Sequence, residues 1–544
     1  MSDCARPISR RQALTTTARG LLGSYTALAG LSFATQAHAD TPKDTLVVAF
    51  AFDDVITLDP AESFEISTAE FLGNAYSRLV RLDRKDTSRV KPDAALSWTV
   101  GADGKTYTFN IRPGIKFASG NPLTAADVAW SLQRAVLLNK SPAFILNQFG
   151  WTKDTVKDRI TATSPMVLTL VTDQTYAPSL VLNCLTSTVG AVVDSKLLQS
   201  QAQGEDMGNT WLKTHYAGSG PFRIRDWRAN EILVLERNDG WHGGRPKLAR
   251  VIFRHIKESS TQRLLLEKGD VDVVRNLTPQ DLEAIASNPQ IQTTSATKGT
   301  VYYIALNQKN PILAQPEVRE AMKWLVDYDG IGKTLIRGIG TIHQQFLPKG
   351  ILGASEAKPF RLDVDKAKAL LAKAGHPDGF PITLDVRTIQ PNQGIAEAFQ
   401  QTAKRAGVDI RLVPGDGKQV LTRMRARAHD MIISNWGVDY WDPNSNADTF
   451  TSNPDNSDGA ANKTLAWRSA WDIPELTRQT KAAALERDSA RRKALYGKLQ
   501  AEFTRSSPFV MLYQTVEVAA FRKGLQGFSL GPSMETNELD PVAK

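Results

Sequence analysis

The chain has 544 residues, 66 of them basic and 57 acidic, a formal net charge of +9 and two cysteines. That length exceeds one ordinary hydrophobic core and calls for two or three domains. The basic surplus is not gathered into any long Lys/Arg block, which argues against nucleic acid as a partner, and two cysteines cannot make a disulfide scaffold.

The first 39 residues read as a leader. Arg6, Arg10, Arg11 and Arg19 are followed by a Gly/Ala-rich apolar stretch from Gly20 to Phe33 and then by Ala37, His38 and Ala39. A basic start, a short apolar run and small residues at a cleavage site form an export signal. Within it "SRRQAL" (Ser9 to Leu14) resembles the twin-arginine type, with Ala13 where a phenylalanine is usual. The run is too short for a membrane anchor, and no later stretch approaches transmembrane length. Cleavage after Ala39 leaves 505 residues; without the four arginines and Asp3 of the leader they hold 62 basic and 56 acidic groups, a net +6, and Cys184 alone. An exported protein with one cysteine has no internal disulfide and depends on core burial.

Leu46 to Phe52 reads as the first strand, ended by Asp59 and Pro60. Tyr107, Phe109 and Ile111 alternate as on a half-buried strand, "RPG" turns the chain, and Thr124 caps a helix whose face is Val128, Leu132, Ala135 and Val136: a hairpin feeding a helix. Phe222 with Ile224, Leu233 with Leu235 and Val251 with Phe253 are strand pieces between Gly, Pro and Asn turns. "SSTQRLLLEKGDVDVV" predicts a helix running into a short strand. In the last third, helices are expected at Val318 to Val326 and Ala367 to Ala374, the latter stopped by Gly375 and Pro377. Ile382, Leu384 and Val386, then Ile395, Phe399 and Ala403, then Val408, Ile410 and Leu412 give strand, helix, strand. That order is a βαβ unit in an α/β domain with a parallel sheet.

The segments "ITLDP", "YTFNIRPGIKFASGNPLTAADVAWSLQRA", "GSGPFRIRDWRANEILVLERNDGW" with "RLLLEKGDVDV", "YYIALNQKNPILAQPEVREAMKWLVDYDGI" and "VDYWDP" resemble the peptide-binding family of extracytoplasmic solute-binding proteins that serve ABC importers. They follow that family's order over nearly the whole mature chain. The resemblance implies an α/β, two-lobed periplasmic-binding-protein fold with a hinge, plus an extra domain inserted in the first lobe. It would assign 40–85, 215–300 and 515–544 to the first lobe, 86–214 to the insert and 301–514 to the second lobe. It further implies a periplasmic monomer that hands a peptide or small solute to an inner-membrane ABC permease, with no cofactor.

Other classes find less in the residues. No GxSxG elbow is present and none of the seven histidines belongs to an HExxH pair, which removes the simplest support for a secreted hydrolase. "GIGKT" (Gly330 to Thr334) mimics the end of a phosphate loop but reads better as the start of an ordinary helix. Asp442, Asn444 and Asn446 reproduce the first three ligand positions of an EF-hand loop, yet Ala447 and Asn453 stand where its glycine and glutamate belong. A metal-dependent binder is the alternative those residues leave open.

The stretch "NWGVDYWDPNSNADTF" (Asn435 to Phe450) carries the main candidates. Asp439 follows a predicted strand, where open α/β sheets place their binding crevice, and Trp436, Tyr440 and Trp441 bracket it. A carboxylate in a partly dry crevice is costly unless paired, and nothing basic lies nearby in sequence. A ligand ammonium would supply the partner, with aromatic faces adding cation–π attraction. A surface turn acid, or one paired with a distant arginine, is the other reading. In the family that the chain resembles, the aspartate of the matching "DY" segment grips the ligand's α-amino group, which implies that role for Asp439. Some members carry bridged cysteines just before their "YY" and "DY" segments; Gly299 and Gly437 stand near those places here. Trp467 and Trp471, four apart, fit equally a core helix face or a pocket wall.

Overall fold

The computed structural model describes residues 41–83, 86, 87, 89–460 and 462–544. The leader, its twin-arginine pair and its cleavage motif lie outside the described residues. Among the described residues no helix is long and apolar enough to cross a membrane.

One sheet of eleven strands runs through the protein. On one side lie Phe222–Arg228, Ile232–Arg237 and Arg250–His255, an antiparallel meander, followed by Thr45–Phe50 and Val273–Val274, which join in parallel. On the other lie Met431–Trp436, Pro381–Arg387 and Asp409–Gly415, all parallel to one another. The expected strand–helix–strand unit is this pair of parallel strands with the helix Asn392–Lys404 between them.

Two long strands, Ile291–Leu306 and Phe509–Arg522, join the halves. They pair antiparallel from Ile291 opposite Arg522 to Ala305 opposite Phe509, with register breaks between Thr297 and Val301 and between Tyr302 and Tyr303. Only the Val301 end of the first strand pairs with Met431–Trp436, and only the Phe521 end of the second pairs with Val273–Val274. A break in register interrupts the hydrogen-bond ladder and bends the strand where the two halves meet. Around it Lys298 and Arg275 share Glu517, and Arg275 also holds Glu70, in a sealed charge network.

A separate four-stranded sheet is built from Ala95–Val100, Thr106–Ile111, Val167–Val171 and Ile160–Ser164. The strand Thr106–Ile111 therefore pairs with a preceding and a distant strand, whereas the hairpin after "RPG" is a single bridge between Lys116 and Pro122. The helix that it feeds, Ala125–Leu138, starts as its sequence requires: the carboxylate of Asp127 accepts from the backbone N–H of Thr124 at 2.9 Å and from its hydroxyl at 2.7 Å. Arg134 on that helix reaches back to Asp59 with two hydrogen bonds of 2.8 and 2.6 Å. Asp59 is thus a sealed ionic cross-link as well as a strand terminator. "GIGKT" is helical up to Lys333, and Asp327 caps that helix by accepting from the N–H of Gly330.

Candidate functional site

Met431 and Ile433 enter one hydrophobic cluster and Ile432 the cluster on the opposite face, so this strand is covered on both sides. Its continuous apolar run follows from that double burial. At Trp436 the strand ends, and seven residues later Pro443–Thr451 begins a helix with proline in its first turn. The linking loop lies at the carboxyl edge of three parallel strands, at the start of a helix, where oriented N–H groups favour negative charge.

Asp439 sits in that loop. Its backbone N–H donates to the hydroxyl of Ser445 at 2.9 Å. Its Oδ2 is sealed from solvent and has no protein partner, and no cation lies within 4.0 Å of the carboxylate among the described residues. Burial pushes this carboxyl well above the usual aspartate range; the neighbouring Arg468 opposes that shift, and Asp448 and Glu535 reinforce it. Arg468, distant in sequence, thus acts on Asp439 without an ion pair within 4.0 Å among the described residues.

Asp442 has the opposite fate. Arg492 donates to both its oxygens, at 2.7 and 2.6 Å, and its Oδ1 also accepts from the N–H of Asn444 at 2.9 Å, capping the helix. Asn446 donates to the carbonyl of Phe346. Both oxygens of Asp442 are thus engaged in holding the helix, which argues against the EF-hand reading at Asp442, whereas Asn446 Oδ1 is sealed without a protein partner.

The aromatic candidates divide. Trp436 is half-buried, with Phe64 of the opposite half 6.2 Å away edge-on and the guanidinium of Arg468 5.6 Å above its ring. Phe64 in turn meets Phe144 of the four-stranded-sheet segment at 5.7 Å. Trp441 packs with Val438, Leu82 and Ile351. The indole N–H groups of Trp436 and Trp441 are both sealed and without protein partners, so each has an unused donor close to Asp439 in sequence. Tyr440 turns the other way: only 2% exposed, it joins the core of the four-stranded-sheet segment, and its hydroxyl accepts from Gln148 at 3.5 Å and from Asn444 at 3.3 Å. Trp467 and Trp471 are core. Arg427 lies 4.1 Å over the first, and the second packs edge-on to Phe503 and Phe509.

Gly299 lets the loop approach the long strand Ile291–Leu306. A Cβ there would fall 2.6 Å from Val438 and 2.9 Å from the ring of Trp441, and the N–H of Val438 donates to the carbonyl of Gly299 at 3.1 Å. The residues that sequence reading missed are Arg468, Arg425, Tyr303, Phe64 and Gln148. The one local sign of them was an arginine inside the tryptophan-rich "WRSAW".

The model of the bacterial extracellular solute-binding proteins, family 5 (middle region), matches residues 89–458. The chain belongs to that family. Among curated relatives of this solute-binding protein is "Probable D,D-dipeptide-binding periplasmic protein DdpA" of Escherichia coli K12, 28% identical over 506 residues, covering 92% of this chain and 94% of DdpA. Among solved structures, the periplasmic binding protein DppA of Helicobacter pylori in complex with the peptide STSA superposes with a TM-score of 0.81 at 24% identity, over 92% of this chain and 98% of that one. AgaA of Agrobacterium tumefaciens R10, in complex with agropinic acid, superposes with a TM-score of 0.77 at 24% identity, over 92% and 98% of the two chains. The fold is therefore that of the two-lobed periplasmic binding proteins, and the pair of long strands joins its two halves.

Proposed function

We propose that this protein is the periplasmic receptor of an ABC importer, that its solute carries an amine, and that Asp439 is the anchor for that amine. A short peptide is the favoured solute. The observation that carries the anchor reading is the sealed Oδ2 of Asp439 with no protein partner. Leaving a buried carboxylate unsatisfied costs the folded protein several kcal/mol, roughly the desolvation of the group, unless something absent from the empty protein completes it. A ligand ammonium does so, with Trp436 and Trp441 as walls and spare N–H donors, and Tyr440 fixing the loop from beneath. Names among the comparisons agree with a peptide: DdpA is called a D,D-dipeptide-binding protein, and the H. pylori DppA holds STSA.

The working cycle needs no bond-making step. Ligand contacts gathered from both halves favour a closed arrangement about the two hinge strands, and the permease recognises it. The protein acts as a monomer and without a cofactor. The test is mass spectrometry of solute co-purifying with the wild type, followed by titration of that solute into Asp439→Asn. Affinity should fall by well over tenfold, the usual consequence of losing one partner of a desolvated charge pair. An amine-free solute, or equal affinity for the variant, would remove the anchor assignment.

A further inference from the structure

The segment that carries the four-stranded sheet is bolted to the first half and pressed against the second. Towards the first half its bonds are sealed: Arg134 holds Asp59 with both residues at 1% exposure or less, and Nη1 of Arg78 donates to the carbonyl of Thr186 at 2.8 Å, beside the backbone bridge from Arg78 to Ala191. Towards the second half the seam is made by side chains. The amide of Asn444 donates to Oε1 of Gln148 at 3.2 Å, and Nε2 of Gln148 donates to the hydroxyl of Tyr440 and to Sγ of Cys184, both at 3.5 Å. Around them Tyr440 and Ala484, from the second half, enter the buried apolar cluster that holds Leu180, Val181 and Cys184.

A second contact lies at the edge of this seam. Arg487, exposed and just past the helix Pro474–Leu485, lays its guanidinium over Gly104, in the turn between Ala95–Val100 and Thr106–Ile111: a Cβ at Gly104 would fall 3.1 Å from Nη1 of Arg487 and 3.1 Å from the methyl group of Thr175. The hydroxyl of Tyr107 beneath is sealed and without a protein partner. Burial pushes that phenol up to about 12, with Arg487 pulling against the shift and Asp103 adding to it, so the arginine's charge reaches into the segment.

The two sides of the segment differ in what parting them would cost. Separating Arg134 from Asp59 would strand a buried charge, whereas separating Gln148 from Asn444 and Tyr440 exchanges long bonds between neutral groups for bonds to water. The segment therefore moves with the first half, and its seam with the second half is the one that opens. Cys184, fully buried behind that seam, is the mature chain's one cysteine, and burial holds its thiol well above the ordinary range.

We propose that the four-stranded-sheet segment closes on the second half as a clasp, held by Gln148 behind the anchor loop and by Arg487 at its edge, and that each opening of the empty protein uncovers Cys184. The inference goes beyond the reading of Asp439 and does not depend on which solute is carried. Gln148 and Arg487 set how often the empty protein stands open, without touching the solute.

The test follows Cys184 in mature, solute-free wild type with Ellman's reagent, across a urea series kept below the unfolding transition. Opening of a clasp exposes little surface, so labelling should outpace global unfolding and change little with urea. Arg487→Gln, at an exposed position, and Gln148→Ala should each raise the rate by roughly two- to tenfold, the effect of losing about one net hydrogen bond, and Arg487→Gln should do so with an unchanged unfolding midpoint. Labelling that climbs with urea along the slope of global unfolding overturns the proposal, because Cys184 would then be reached only by unfolding. A rate that neither variant changes overturns it too, by taking the seam away from these side chains. No solute enters the measurement, so its failure leaves the Asp439 reading standing, and failure of that reading leaves the clasp.

Discussion

Arg492 closes both terminal nitrogens on the carboxylate of Asp442, at 2.7 and 2.6 Å, three residues beyond an aspartate with no such partner. Asp442 and Asp439 share a loop, a chemistry and near-complete burial of an oxygen, yet one is spent on the fold and the other is left open. Removing one member of a sealed pair strands a buried charge at a cost of about 3–5 kcal/mol. Arg492→Met should therefore lower unfolding stability by that order in denaturant titration, while Asp439→Asn should raise it at neutral pH. A mild loss for Arg492→Met would mean that water already reaches Asp442.

Gly299, on the long strand Ile291–Leu306, and Gly437, just past the end of the strand Met431–Trp436, make a matched pair of substitutions. A methyl group at 299 would press on Val438 at 2.6 Å and Trp441 at 2.9 Å, whereas at 437 it would meet only the hydroxyl of Thr300 at 3.5 Å and Ile66 at 3.9 Å. Overpacking of this kind costs roughly 1–3 kcal/mol. Gly299→Ala should destabilise by that amount, shift tryptophan fluorescence and weaken solute binding; Gly437→Ala should be close to neutral in all three. Identical behaviour of the two variants would show that Trp441 yields freely.

What the sequence disclosed here depended on distance along the chain. Periodic segments whose partners lie nearby, such as Ile382 to Val386 with Ile410 and Leu412, are legible because side-chain alternation and connection length together leave one pairing. The strand Thr106–Ile111 was legible as a strand but not in its neighbours, since Val167–Val171 reaches it only after a long excursion. Asp59 shows the same limit: Arg134 lies 75 positions away, and no local pattern announces a cross-link of that span. Asp439 stood out for the converse reason, because no basic residue in its own stretch could pair with it. Arg468 arrives from a different element, so its approach is a property of the fold. Trp467 and Trp471 could not be assigned by spacing, because a core face and a pocket wall share one periodicity.

Lys323 offers a test of the interior of the second half. Only 2% exposed, it donates to the carbonyl of Thr504 at 2.9 Å and lies 5.5 Å over Phe360, beside a small cavity bordered by Gln344 and Met511. Burial, with Arg319 nearby, draws its ammonium down to about 7. The unfolded chain keeps an ordinary lysine near 10.4, so between these values it binds more protons than the folded protein and stability rises with pH. Wild type should therefore gain on Lys323→Met as pH climbs from 7 towards 10, by up to about 1.4 kcal/mol per pH unit. Below pH 7 the methionine variant should hold its largest advantage. Parallel stability–pH curves for the two proteins would place the amine in contact with water.

The Asp439 carboxyl makes the last prediction, and its sign can be worked through. Its folded value is raised by burial, so between that value and the ordinary aspartate value the empty protein holds a proton that the unfolded chain does not. Acidification through this window stabilises the empty wild type; at higher pH, where the group is ionised in both states, the desolvated charge weakens the fold. Asp439→Asn should thus be the more stable protein at neutral pH, with its advantage shrinking as pH falls through the window. An ammonium ligand needs the ionised form, so binding below the raised value must expel the proton. Calorimetric titration of the co-purifying solute in buffers of different ionisation enthalpy should record proton release by wild type that grows as pH is lowered, and none by Asp439→Asn. Equal proton release by the two proteins would assign the proton to another group and sever Asp439 from the ligand's charge.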